Sequence, residues 1–418
     1  MAVSLRSLQR VLARWAVRGT TVLLVEAPGG WAARVAVEQA MAKRGWRAAR
    51  SPADADALLV CGTPGEGWGE VLERTWAQLP GPRARASVAS APEAESVLDG
   101  LAASLLGVGA QRADAAARDL VPDDVTEGGD MDPAGLQLAG GEDDLRDGLE
   151  MDVLRVPLGP VLPDWPAGLV LRTVLSGDVV VRARVEVLPG GGGGSVDGPV
   201  RRLDTAAQVL RLAGADDLAA RAVRLRDAAS PDGLRSLSTR SAASPDGLRS
   251  LSTSSRASEA EEAHEVRGEA ARLRGRVERS RVLAWALREA DVATSSPTAD
   301  AESDAVHVSA PDDLRDVGLD EQRRTRDDVR TLLLGLLDPE VHDDDPRGRT
   351  RAALEALPER LVGVDVVTAR LLVAALDLRT DALDTDDLAS FAPREDEDGD
   401  GNEGQGSDEH MHHGHAHG

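Results

Sequence analysis

Cysteine is almost missing from this chain: Cys61 is the single thiol in 418 residues. One thiol cannot close a disulfide within the chain, and it cannot supply a cysteine-ligated zinc or iron–sulfur centre. Tyrosine and isoleucine are absent, Phe391 is the only phenylalanine, and Lys43 and Asn402 are alone of their kinds. The missing types share AT-rich codons, so the composition reads as a high-GC genome writing Arg for Lys and Val or Leu for Ile. Cores must then be built from Leu, Val and Ala, with seven Trp as the large anchors. Positive charge is in deficit as well, with 48 basic against 72 acidic residues and a net charge of −24. That balance argues against nucleic-acid or anionic-membrane binding, which needs a basic face. No apolar run reaches the roughly 18 residues of a membrane span. The start, MAVSLRSLQRVLARWAVRG, has no continuous apolar stretch and reads as neither signal peptide nor anchor. A cytoplasmic chain without a direct membrane span is the expectation.

What is present begins with alternation of strand and helix. Thr20–Glu26, Ala57–Cys61 and Arg83–Ala89 are short apolar runs of buried-strand length, each followed by a segment at helical spacing. Residues 1–110 are therefore expected to form a three-layer α/β domain with a parallel, flavodoxin-like sheet. Residues 111–150, rich in Asp, Gly and Glu, read as a linker. Residues 151–392 change to an α+β pattern. Leu169–Val187 is a β-hairpin turning at Ser176-Gly177-Asp178, and a helical bundle follows. Loop insertions are expected at 189–200, where five glycines form a flexible link, and at 228–257 and 293–318. Helices are expected over Arg202–Ala229 with a break at Gly214, Ser258–Ala293, Glu321–Leu337, Arg347–Leu361 and Asp365–Leu378, the last three with one apolar face each. AASPDGLRSLST at 228–239 recurs at 242–253, which fits loop duplication better than a solenoid. Residues 393–418 read as a disordered acidic, His-rich tail.

Chemistry is sparse. The loop Ala27–Trp31 sits between a strand and a helix, where phosphates often bind, but it matches neither GxGxxG nor GxxxxGK[ST]. Cys61 ends a strand, and no histidine precedes His264; a buried, inert thiol is expected ahead of a nucleophile. The tail places His410, His412, His413, His415 and His417 within eight residues. Neutral imidazoles of that density can bind Ni²⁺, Zn²⁺ or Cu²⁺. Asp396-x-Asp398-x-Asp400-Gly401 imitates the start of an EF-hand loop, but Ser407 stands where the closing Glu belongs. No catalytic residue stands out.

Two stretches resemble subunits of respiratory complex I and its nickel–iron hydrogenase relatives. Arg50-Ser51-Pro52, Ala55-Asp56, Val60-Cys61-Gly62-Thr63 and Gln78-Leu79-Pro80-Gly81-Pro82-Arg83 are similar to successive motifs of the small iron–sulfur subunit. Gly159-Pro160-Val161-Leu162-Pro163-Asp164-Trp165-Pro166-Ala167-Gly168 and its hairpin resemble the start of the large quinone-site subunit, whose motif is G-P-x-H-P-S-T-H-G. Leu162 stands at one family histidine, and Ala167 is nearest to the other. Pro28-Gly29-Gly30-Trp31 occupies the loop that carries the family's paired cluster cysteines, and Ser87–Ser90 carries none downstream. The resemblance thus implies a fused, degenerate relative without an iron–sulfur cluster. It would be an accessory subunit without activity of its own, partnered by membrane-embedded complex I-like proton-channel subunits at the inner face of the cell membrane. The alternative is a handling protein for divalent metals that acts through the histidine tail.

Overall fold

A computed structural model describes residues 17–118, 142–143, 150–151, 153–191, 198–229, 253–287, 329–338 and 345–392. The N-terminal unit is a four-stranded parallel sheet in the order β2-β1-β3-β5, formed by β1 (Thr21–Glu26), β2 (Arg47–Ala48), β3 (Ala57–Cys61) and β5 (Ala84–Val88). The two central strands are apolar because both of their faces are covered. Along β1, Val22 faces one core with Val37, Met41 and Leu98, while Leu23 and Val25 face the other with Leu58 and Trp68. Helices α1 (Trp31–Arg44) and α3 (Ala94–Leu105) cover the first face, and α2 (Trp68–Gln78) covers the second. Gly45 ends α1 in the left-handed region at φ 73°, where only a residue without Cβ sits at no cost.

The second unit starts with a three-stranded antiparallel sheet, β6 (Val153–Leu158), β7 (Leu169–Ser176) and β8 (Val179–Val187), with β7 central. Its inner face packs on α5 (Pro199–Leu212), α6 (Asp216–Ala229), α7 (Thr253–Arg279), α8 (Arg281–Ala286), α9 (329–336), α10 (Pro346–Leu361), α11 (Val366–Ala375) and α12 (Thr385–Ser390). Pro199 opens α5, and Asp345, Asp365 and Asp384 cap α10, α11 and α12 by accepting from backbone N–H groups within each first turn. Such caps stabilise a helix by about 1 kcal/mol each. The edge of β8 is tied to the turn before α11, where Val180 N–H donates to Val364 O at 2.9 Å and Gly363 N–H donates to Val180 O at 2.8 Å.

Several boundaries differ from the sequence reading. The first unit continues past residue 110 as α4 (Val108–Ala117), which is tied back where Arg83 reaches Asp114 at 3.0 Å. The glycine run is not wholly a link, because Gly190–Gly191 pairs as a short strand, β9, with β4 (Thr63–Pro64) of the first unit. The long helix begins at Thr253, inside the expected insertion, and breaks at Ser280. Helix α11 is buried from Leu371 through Ala375, all round and not on one face, because it runs through the middle of the second core. The duplicated segment between 230 and 252, most of the 111–150 linker, the 293–318 insertion and the tail lie outside the described residues. Among the described residues, no helix is long and apolar enough to cross a membrane.

Candidate functional site

The two units meet along the C-terminal edge of the parallel sheet, the edge at which open α/β sheets carry their sites. The turn Ala27–Gly30 lies directly on the end of β3. Ala27 N–H donates to Cys61 O at 2.9 Å, and a Cβ on Gly30 would stand 2.1 Å from that same oxygen. From the other side the second unit presses down on Pro28: a Cβ on Gly190 would lie 2.4 Å from Pro28 O, and one on Gly168 would lie 2.8 Å from Pro28 Cγ. The turn is therefore held between backbones at Pro28 and Gly30. Val170 and Leu188 complete the core beneath Trp68, whose indole N–H donates to Pro189 O at 2.9 Å.

Beside this contact lies a buried charge network that joins both units. Arg34, on α1, donates to Glu26 at the end of β1, to Glu38 one turn along, and to Asp204 on α5. Asp204 also accepts from Trp31 Nε1 at 2.8 Å and from Arg226 on α6 at 2.6 Å. Arg226 continues to Glu38 at 2.6 Å and Asp227 at 2.9 Å, and Gln39 donates to Asp227 at 3.1 Å. The Asp204 and Arg226 side chains are 2% and 1% exposed. Charges so deep in the protein are tolerable only when each is paired and hydrogen-bonded, and each of these has two or more partners. Burial by itself would raise the Asp204 pKa, but Arg34, Arg226 and the Trp31 hydrogen bond outweigh it and hold the carboxyl below the usual range. Glu38 behaves alike: burial pushes its pKa up, Arg34 and Arg226 pull it down further, and the net shift is downward. Burial also works against the Arg34 and Arg226 charges, and the surrounding carboxylates overcome it, so both guanidiniums are held above their ordinary value. The perturbed groups are thus driven away from neutrality in both directions, and the network supplies fixed charge instead of exchangeable protons.

Next to the network is a cavity of about 30 Å³ with Trp31, Arg34, Trp165, Ala167, Arg201 and Asp204 in its wall. That volume exceeds the roughly 10–15 Å³ a water molecule needs. It is far below the roughly 300–1,000 Å³ of organic-ligand pockets. Its walls are fixed: Trp165 Nε1 donates to Leu169 O at 2.8 Å, and Thr380 Oγ1 donates to Ala167 O at 2.7 Å.

Cys61 is fully buried in the first core. Burial, with a contribution from Glu26, pushes its thiol pKa up, which disfavours the thiolate a nucleophile needs. An iron–sulfur cluster does not fit this seam, since the only thiol points into the core and backbone fills the space over the first loop. Leu162 is partly buried against the second core, whereas Ala167 and Trp31 reach the shared cavity. Among the described residues no group of three or more His, Cys, Asp or Glu side chains is placed to hold a metal ion. His410, His412, His413, His415 and His417 lie outside the described residues.

Comparison with protein-family models, with curated proteins and with solved structures finds no match to this chain.

The charge network was missed from sequence, although a signal exists. Glu26 ends an otherwise apolar strand, Arg34 interrupts the apolar run of α1, and Asp204 sits in a helix segment buried on every side. A lone charge inside an apolar run implies a buried partner.

Proposed function

We propose that the chain is a cofactor-free, non-catalytic subunit of a complex I-like or hydrogenase-like membrane assembly. In this reading the N-terminal unit is a flavodoxin-like relative of the small subunit, and the hairpin with its helical bundle is a relative of the large subunit, fused in one chain. One observation supports the reading: the units that carry the two resembling stretches pack against each other, with Gly168 of the second stretch against Pro28 in the loop that stands where the family has its cluster-binding cysteines. Trp31, in that same loop, and Ala167, nearest to a histidine of the quinone motif, line the same cavity. The position that would hold redox groups in such relatives is here occupied by two indoles and an ion-pair network. What remains useful at such a seam is rigidity, and the fold would serve as a scaffold for membrane proton-channel subunits.

The test is purification of the tagged full chain from detergent-solubilised membranes of its own host, with the co-purifying subunits identified by mass spectrometry. Stoichiometric recovery of polytopic proton-channel subunits is the expected result. Recovery of the chain alone, with bound Ni²⁺, Zn²⁺ or Cu²⁺, would replace this reading with the metal-handling one.

A further inference from the structure

Away from the seam, α6 and α7 pack side by side and leave a groove of about 150 Å³ between them. Arg221 and Arg224 stand one turn apart on α6, and Arg272 and Arg276 stand one turn apart on α7, so both pairs face the groove. Among the described residues of its wall Glu269 is the only acidic one, and it pairs with Arg272. Arg221, Arg224 and Arg276 are exposed and form no ion pair with another described residue. Leu225 and the buried Leu273 supply an apolar floor. With four guanidiniums and one carboxylate among its described lining residues, the groove contrasts with the chain as a whole, whose net charge is −24.

The chain itself carries the complementary charge. Past Ala392, the last described residue, the run Glu395-Asp396-Glu397-Asp398-Gly399-Asp400 has five acidic residues in six, and Glu403, Asp408 and Glu409 follow. Glu409 is 17 residues beyond Ala392, a tether of up to about 60 Å when extended. Being on the same chain also gives the segment an effective concentration of order millimolar at any site it can span. Guanidiniums bind carboxylates bidentately, which makes arginine suited to such a segment. We propose that this groove is the docking site of the chain's own acidic segment 395–409. The inference is independent of the subunit reading, since it rests on α6, α7 and the tail alone.

The test uses the full chain and phenylglyoxal, an uncharged reagent for arginine, with modified sites mapped by mass spectrometry. It compares the natural chain with a full-length variant carrying Glu395→Gln, Asp396→Asn, Glu397→Gln, Asp398→Asn and Asp400→Asn. Arg221, Arg224 and Arg276 should react about tenfold faster in the variant, the loss expected for several weak ion pairs made on one tether. Arg47 and Arg112, exposed elsewhere, should not change. A synthetic peptide of residues 394–409 added to the variant should restore protection, and salt at about 0.5 M, roughly three times the physiological level, should remove it. Equal reactivity of the three arginines in both chains would overturn the proposal. So would protection of the variant by inorganic phosphate but not by the peptide, which would make the groove a site for free anions.

Discussion

Asp204→Asn is the sharpest perturbation of the seam. The carboxylate is 2% exposed and serves Trp31, Arg34 and Arg226 at once. An Asn in its place still accepts from one donor, but it turns an N–H group toward a guanidinium and leaves two buried cations short of charge. Breaking a buried ion pair from one side costs roughly 3–5 kcal/mol. Arg34 keeps Glu26 and Glu38, and Arg226 keeps Glu38 and Asp227, so the lower end, about 3 kcal/mol, is expected. With a urea dependence of about 3 kcal/mol per molar, the unfolding midpoint should fall by about 1 M. Fluorescence reports the loss directly, because Trp31 donates to the altered side chain. The sign of the pH dependence follows from the same contacts. Asp204 and Glu38 have folded pKa values below their unfolded ones. Their stabilisation is therefore complete above the unfolded values of about 4 and is lost as pH falls through the folded ones. The natural chain should lose stability below about pH 4, and the Asp204→Asn variant should lose less over that range. A midpoint shift under about 0.3 M with an unchanged acid limb would refute the buried network.

Cys61 in the native chain should react with thiol reagents only as fast as the protein opens, and Cys61→Ser should leave the fold intact; rapid labelling at neutral pH would show an accessible thiolate. Gly168→Ala should cost about 2–4 kcal/mol by thermal unfolding, since the residue sits at φ 71° and its Cβ would meet Leu188 O at 2.5 Å. Gly177→Ala, at φ 62° in open space, should cost only the strain of its backbone angle, about 1 kcal/mol. Replacing His410, His412, His413, His415 and His417 by Ala should abolish most Ni²⁺, Zn²⁺ or Cu²⁺ binding in calorimetry, and binding by the natural chain should weaken as pH drops through about 6.5.

The elements legible in the sequence are those with few physical alternatives. Ala57–Cys61 was expected and found over the same residues, because a continuous apolar run of that length between turn residues has little else to do than enter a buried sheet. The turn at Ser176-Gly177-Asp178 and the break at Gly214 were legible for a local reason, since each glycine takes a positive φ. Strand β2 was not, because Arg47 and Ala48 are both exposed and the pairing with Thr21 and Val22 is made by backbone alone. Gly190–Gly191 escaped for the same reason: only backbone pairs it with Thr63–Pro64. The seam lies furthest from local pattern. Arg34 and Asp204 stand 170 residues apart, and nothing near either one names the other. The tail histidines are plain in the sequence, but a site made of one composition carries no geometry to read.

The proposed subunit reading puts charge and indole at this seam where complex I-type subunits carry redox groups. It is tested most directly by iron and acid-labile sulfide analysis of the purified full chain, together with titration of its tryptophan fluorescence by a short-chain quinone. Iron and sulfide at background and no saturable quenching are expected, because the cavity of about 30 Å³ beside Trp31 and Trp165 is too small for a quinone ring. Stoichiometric iron, or saturable quenching abolished by Trp31→Phe, would contradict that reading.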